Sequence, residues 1–176
     1  MLPIMQDDRY DHSLEGSALM CGGYYTSESC VQWSSVNGTW EEYLTLDVRR
    51  SYHVSWTPDP DIGTYLIGGW GSEARNSTTL IKPDGNQEPG FSQKYKTEYV
   101  PISWNDYYVC NCNHYRDACA IEDPDTQTVV ITGGRYTMTT VSKYGLQGWV
   151  EDLQPLNTGR YNHACSNYMS GGARVR

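Results

Sequence analysis

The chain repeats one ending three times: a short run of strand-forming residues followed by two glycines. The glycine pairs are Gly22-Gly23, Gly68-Gly69 and Gly133-Gly134, and the runs before them read SALMC, GTYLI and TVVIT. Glycine adopts positive φ values at little cost, so it ends a strand tightly and lets another backbone approach closely. Three spaced copies of this ending predict an internal repeat.

A second motif opens each copy. The openings are RYDH at 9–12, RSYH at 50–53, Tyr115-Arg116-Asp117-Ala118 and RYNH at 160–163. Turns at Asp59-Pro60-Asp61 and Asp123-Pro124-Asp125 separate the opening from the glycine pair, because proline presets φ and aspartate bonds its own backbone. Each copy therefore begins with a β-hairpin. In the last copy Gly171-Gly172 is predicted to be the hairpin turn itself.

A second hairpin is predicted after each glycine pair. Its first strand contains Val31–Trp33, Thr79–Lys82 or Val141–Tyr144, and its second strand follows a turn rich in glycine. Each unit then has four short antiparallel strands over about 40 residues, as in a propeller blade. Such a sheet leaves apolar faces exposed unless neighbouring sheets stack on it.

These features resemble the kelch repeat. The resemblance rests on the three glycine pairs, on an aromatic residue further along (Trp33 or Tyr144), and on Trp40 or Trp149 after it. It covers nearly the whole chain and is most similar to invertebrate multi-kelch proteins. It implies an all-β, kelch-type β-propeller segment in one domain over 1–176, in which these glycines and tryptophans are structural and Trp33, Trp40 and Trp149 pack between blades. The blades are predicted near 9–46, 50–98 and 116–156, with a partial blade at 160–176.

Two departures from the repeat bear on the architecture. Residues 98–114 form an insertion without a counterpart in the other copies, and such long insertions are often functional or disordered. About three and a half blades do not close a ring of six or seven, which predicts an incomplete ring. The chain is then a fragment, or it completes itself with another chain, and its open strand edges favour self-association.

Charge and hydropathy limit the partners. The formal net charge of −8 argues against a nucleic-acid surface, which requires clustered lysine and arginine. No apolar run approaches the ~20 residues that cross a bilayer. The N-terminus lacks the features of a secretory signal, whereas the sequons Asn37-Gly38-Thr39 and Asn76-Ser77-Thr78 hint at secretion. Cytoplasmic and secreted locations both stay open.

Cysteine chemistry also stays open at this point. Cys21 and Cys30 flank a glycine pair, and Cys119 and Cys165 take similar places in neighbouring copies. Each pair forms either a disulfide or two buried thiols. The segment CNCNH at 110–114 contains three metal-capable side chains, but a second ligand pair is missing, so no metal site and no cofactor are predicted.

Binding is expected in the loops that follow the glycine pairs and in the loops between blades. The recurring Arg9, Arg50, Arg116 and Arg160 are interpreted either as an anion site around the channel or, preferably, as donors to turn carbonyls. The candidate binding residues are Trp70, Arg135, Tyr24, Trp104, Arg50 and Arg160.

The resemblance implies a non-enzymatic scaffold that binds a protein partner through these loops. No nucleophile elbow, zinc-protease motif or phosphate loop is present in the sequence. The alternative is an extracellular domain that binds carbohydrate or resembles galactose oxidase, with a glycan as ligand.

Overall fold

The computed structural model describes residues 13–15, 19–71, 73–74, 77–91, 93, 115–123, 125–135, 138–163 and 165. These residues form twelve β-strands and no α-helix, so the all-β prediction is confirmed. The predicted insertion at 98–114, with Trp104, lies outside the described residues. Of the predicted partial blade, only 160–163 and 165 are described.

The strands form three antiparallel sheets of four strands each. Sheet 1 contains β1 (Ser13–Glu15), β2 (Leu19–Cys21), β3 (Ser29–Ser34) and β4 (Thr39–Thr45). Sheet 2 contains β5 (Val54–Asp59), β6 (Gly63–Ile67), β7 (Thr78–Ile81) and β8 (Gln87–Pro89). Sheet 3 contains β9 (Cys119–Asp123), β10 (Thr128–Thr132), β11 (Val141–Gly145) and β12 (Gly148–Asp152).

Each sheet is a simple meander in which consecutive strands pair. The short turns at 60–62 and 82–86 connect paired strands of sheet 2, and the register Val54↔Ile67 aligns β5 with β6. Each sheet lies within one of the predicted repeat ranges. No sheet closes on itself.

The glycine pairs directly follow the second strand of each sheet, after Cys21, Ile67 and Thr132. All six glycines have φ between 63° and 124°, which residues with a Cβ rarely adopt. A Cβ at Gly22 or Gly133 would collide with the backbone carbonyl oxygen of Arg50 or Arg160. At these two positions glycine therefore lets the opening of the next sheet pack directly on the strand end.

Sheet 2 buries both of its faces. Successive side chains of a strand point to opposite faces, and in β6 Leu66 belongs to one core while Tyr65 and Ile67 belong to another. We call the contact of sheets 1 and 2 the first junction and the contact of sheets 2 and 3 the second junction. The first junction contains Cys21, Cys30, Leu46, Leu66 and Ile81.

The second junction is aromatic. The Phe91 ring lies between the sheets, with its centroid 5.2 Å from Tyr65 and 5.5 Å from Tyr144. Trp56 is 1% exposed and stacks on Tyr65 at 5.4 Å. Tyr115 packs edge-on against Tyr144 at 5.7 Å. Offset and edge-to-face aromatic pairs stabilise beyond their buried area, so this junction is a dense aromatic core.

The tryptophans expected between blades lie elsewhere. Trp33 and Trp40 are a half-buried cross-strand pair on β3 and β4, with ring centroids 5.7 Å apart. Trp149 is 42% exposed on the outermost strand of sheet 3 and donates to Asp152 Oδ1. The expectation that Trp149 is buried between sheets is therefore wrong in this structure. The buried tryptophan is Trp56, on a first strand.

The first strands of the three sheets lie next to one another, since β5 contacts both β1 and β9. The openings before these strands are linked by backbone hydrogen bonds. The Asp117 amide donates to the Tyr52 carbonyl (3.2 Å), and the Asn162 amide donates to the Asp117 carbonyl (2.9 Å). Tyr52, Asp117 and Asn162 all have φ between 53° and 58°, so three equivalent left-handed residues form one chain of contacts.

Both pairs of cysteines that the sequence left undecided form disulfides. Cys21 and Cys30 face each other on β2 and β3, with Cα atoms 4.1 Å apart. Cys119 of β9 is bonded to Cys165, with Cα atoms 6.0 Å apart. In the described part of the chain no cysteine is free. No helix within that part is long and apolar enough to cross a membrane.

Candidate functional site

The residues after the glycine pairs and the sheet openings lie at the same end of the sheets. Trp70 and Ser51 exchange two backbone hydrogen bonds, of 3.1 and 2.6 Å, and the Arg135 amide donates to the Arg116 carbonyl at 2.9 Å. We call this end the glycine end, and the end with the turns at 35–38, 60–62 and 82–86 the hairpin end. The two sets of loops in which binding was expected therefore form one surface.

Arg50 lies under this surface. Its side chain is 0% exposed, and its guanidinium donates to the carbonyls of Leu66 and Gly68 (3.1 Å each) and to Thr79 Oγ1 (2.8 Å). Burial lowers the pKa of Arg50 to about 10, so it stays charged at neutral pH. Since its side chain is fully buried, Arg50 is a structural donor to main-chain carbonyls in and just after β6, and it is not accessible to a ligand.

The histidines of the openings pack under the glycine pairs. A Cβ at Gly22 would lie 3.0 Å from His53 Cε1, and one at Gly133 would lie 2.8 Å from His163 Cε1. His163 Nε2 is 3.0 Å from Thr132 Oγ1. Burial, with a smaller contribution from the charge of Arg160, lowers the pKa of His163. These histidines therefore support the glycine end from beneath.

The structure separates Arg116 from the recurring arginines with which it is grouped in the sequence. The left-handed residues Tyr52, Asp117 and Asn162 fix the register of the openings, so Tyr115 is the counterpart of Arg50 and Arg160. Arg116 then corresponds to Ser51, one position later. Arg116 is not the third copy of a structural arginine, and its different position gives it a different environment.

Arg116 lies between two aromatic rings. Its Cζ is 4.5 Å from the centroid of Tyr52 and 4.4 Å from the centroid of Trp70. Its Nε is 3.5 Å from Asp117 Oδ2. A guanidinium over an aromatic face contributes about 0.5–2 kcal/mol per contact, depending on burial. We call Tyr52, Arg116 and Trp70 the cation–π stack; it fixes the orientation of the Trp70 ring, which is 37% exposed.

Other exposed apolar side chains share the glycine end. Tyr24, in the loop between β2 and β3, is 51% exposed and contacts Tyr25 edge-on at 5.2 Å. Met138 and Tyr161, in the loop after β10 and in the last opening, are 45% and 53% exposed. Arg135 and Arg160 are exposed as well. Of the predicted binding residues, Tyr24, Trp70, Arg135 and Arg160 are thus accessible at one end.

The sequence did not single out Tyr52 and Arg116 as partners of Trp70. Arg116 was grouped with the other arginines because the opening YRDA has its arginine one position later than RSYH and RYNH. That one-residue offset was the signal in the sequence that Arg116 has a separate role, because a residue that departs from a repeat is not bound to the structural role of its counterparts.

Among the described residues, no three His, Cys, Asp or Glu side chains come together as ligands of a metal ion. No protein-family profile matches the sequence, and no curated protein matches it.

Proposed function

We propose that the chain is a segment of a kelch-type β-propeller and serves as a protein-interaction scaffold. Three observations support the propeller. The sheets are consecutive four-stranded meanders, their first strands lie side by side, and equivalent left-handed residues of successive openings are hydrogen-bonded in order. A radial stack of blades around an axis would produce all three.

The binding surface is the glycine end, and the observation that carries this proposal is the cation–π stack. Trp70 presents part of its ring to solvent while Arg116 and Tyr52 hold it in place. Tryptophan and tyrosine on a rigid support lose little conformational entropy on binding and dominate the energy of protein interfaces. Tyr24 and Tyr161 extend the surface with further exposed rings. The partner therefore places an apolar side chain against Trp70.

A site-specific cross-linking experiment tests this proposal. A photo-reactive phenylalanine derivative at position 24 is expected to capture the partner covalently, and the Trp70→Ala variant is expected to lose that cross-link. For an anchor of 2 kcal/mol or more, affinity falls by about 30-fold or more. Val36→Ala is the matched control, because Val36 is 92% exposed at the hairpin end.

Equal capture by wild type and Trp70→Ala contradicts the proposed surface, as does equal loss in Val36→Ala. Circular dichroism of each variant separates loss of binding from loss of fold. The carbohydrate-binding and oxidase alternatives, the incomplete ring and self-association through open strand edges stay predictions.

A further inference from the structure

The turn between β3 and β4 is strongly exposed to solvent. Val36, at this turn, is 92% exposed, and Asn37 and Gly38 are exposed too. Gly38 has φ 66°, and no atom beyond its two chain neighbours lies within 4 Å of the position that a Cβ would take. The turn is therefore open to solvent around Gly38.

Asn37, Gly38 and Thr39 form an N-glycosylation sequon at this tip. Asn37 Nδ2 donates to Glu41 Oε1 at 2.6 Å, and Thr39 Oγ1 donates to the same oxygen at 3.4 Å. The two side chains of the sequon thus point to the same side of the hairpin, and both residues are exposed. Asn37 is exposed, and the carboxylate that accepts from its side-chain nitrogen belongs to the exposed residue Glu41, so water or a sugar hydroxyl replaces it easily.

The disulfides supply an independent observation on the compartment. Cys21–Cys30 and Cys119–Cys165 both form, and Cys21 and Cys30 are 0% exposed. Structural disulfides form and persist in oxidising environments such as the lumen of the endoplasmic reticulum, where N-glycosylation also takes place. The two features therefore point to the same maturation route.

A groove of about 370 Å³ lies beside the tip. Trp33, Val36 and Tyr43 supply its apolar lining, and Ser34, Glu41 and Glu42 supply polar groups. Sugar rings have an apolar C–H face that packs on aromatic rings, and hydroxyls that bond to carboxylates. An exposed valine is unremarkable by itself, but here it borders a groove next to an acceptor asparagine.

We propose that Asn37 carries an N-linked oligosaccharide whose first sugar rings lie in the groove lined by Trp33, Val36 and Tyr43. The donor is an oligosaccharide attached to a lipid diphosphate. Asn37 Nδ2 forms a bond to sugar C1, the bond from C1 to the phosphate oxygen breaks, and the lipid diphosphate leaves with the bonding electron pair. The amide nitrogen gives up one proton to the base of the transferase, so no oxidant or reductant is needed.

The second sequon has a different setting and serves as an internal comparison. Of the two residues that follow Asn76, Thr78 lies in β7 and is 5% exposed, and the Ser77 carbonyl accepts from the Gly68 amide at 3.1 Å and from Gln93 Nε2 at 2.8 Å. Formation of sheet 2 therefore withdraws these two residues from a transferase. We therefore expect Asn37 to be occupied to a greater extent than Asn76.

The test expresses the full chain behind a secretion signal in a eukaryotic cell and maps intact glycopeptides by mass spectrometry. We expect glycan on Asn37, its retention in Thr39→Ser and its complete loss in Thr39→Ala. Intact glycopeptides are required because Asn-Gly deamidates spontaneously and mimics enzymatic release. The same chain and Thr39→Ala, both made without glycan in a bacterial periplasm, are the folding controls.

A second set of measurements tests whether the sugar packs in the groove. Contact with the groove is expected to raise Tm of the glycosylated chain by about 2–4 °C, the shift that ~1 kcal/mol produces in a domain of this size. Nuclear Overhauser contacts between the first sugar and the Trp33 or Tyr43 ring are expected as well. A secreted, disulfide-bonded chain with unmodified Asn37 overturns the proposal. A glycan without ring contacts or Tm shift overturns the assignment of the groove.

Discussion

The two junctions of sheet 2 both join four-stranded meanders, but their side-chain chemistry differs. The first junction is aliphatic, with Leu46, Leu66 and Ile81 packed on the buried Cys21–Cys30 disulfide. The second is aromatic, with Trp56, Phe91 and Tyr144 stacked across the gap. An aromatic side chain buries roughly 150–250 Å², so the second junction obtains more contact from each residue, whereas the first packs on a disulfide that joins two strands of sheet 1. The repeat thus determines which strands of neighbouring sheets meet, but it does not determine which side chains form the core between them.

The largest effect is expected from truncating the aromatic junction. Trp56→Ala removes a side chain that is 1% exposed and touches Tyr65 and Phe91, and such changes reduce the free energy of unfolding by about 3–5 kcal/mol. Urea unfolding measures the loss. Leu66→Ala is the counterpart in the first junction, with an expected loss of about 2–5 kcal/mol.

Trp149→Ala is the control for tryptophan removal as such, since Trp149 is 42% exposed and a change of about 0.5 kcal/mol or less is expected. If Leu66→Ala destabilises the protein more than Trp56→Ala, the aromatic junction is not the stronger one and the comparison fails.

A smaller but still large effect is expected from Arg50, which anchors the first junction. Arg50→Leu leaves the buried carbonyls of Leu66 and Gly68 without their donor, and unsatisfied buried groups cost about 1–3 kcal/mol each. We expect a total loss of about 3 kcal/mol in the free energy of unfolding. Arg49→Leu is a neighbouring control, because Arg49 forms an exposed ion pair with Glu28 and such pairs contribute about 0–1 kcal/mol. Equal losses from the two variants would show that Arg50 is not a structural anchor.

The smallest of the three effects is expected from the covalent bond in the first junction. Replacing Cys21 and Cys30 together by alanine opens a loop of 9 residues in sequence separation, and the loop-entropy relation gives a loss of about 2–3 kcal/mol. Thermal unfolding of the double variant without reductant measures it, while Cys119–Cys165 stays intact. An unchanged Tm would mean that the Cys21–Cys30 disulfide does not stabilise sheet 1.

The sequence predicted the backbone features better than the side-chain contacts. The glycine pairs end the second strands as expected, because the conformational freedom of glycine can be recognised from residue type alone. The core tryptophan was misplaced. Strand alternation assigns Trp56 and Trp149 each to one face of their sheet. Which face of a sheet packs against a neighbouring sheet depends on how the sheets stack, and a single sequence does not specify that stacking.

For the same reason, the sequence identified only part of the candidate site. Trp70 was recognised because it follows a glycine pair. The other two members of the stack, Tyr52 and Arg116, come from two different openings, and Arg116 is one position later in its opening than the other arginines. The disulfides likewise could not be predicted from the sequence, because the distance between Cys119 and Cys165 depends on where the segment after the last opening lies relative to β9.

The second junction forms across an unusually long stretch of chain. Leu46 precedes Arg50 by four positions and Leu156 precedes Arg160 by four, whereas 24 positions separate Phe91 from Tyr115. Phe91 nevertheless stacks on Tyr144, and the Asp117 amide still reaches the Tyr52 carbonyl. The complementary surfaces of sheets 2 and 3 thus pack together although the segment that connects them is long. A polypeptide severed between residues 93 and 115 is therefore expected to reassociate from its two pieces.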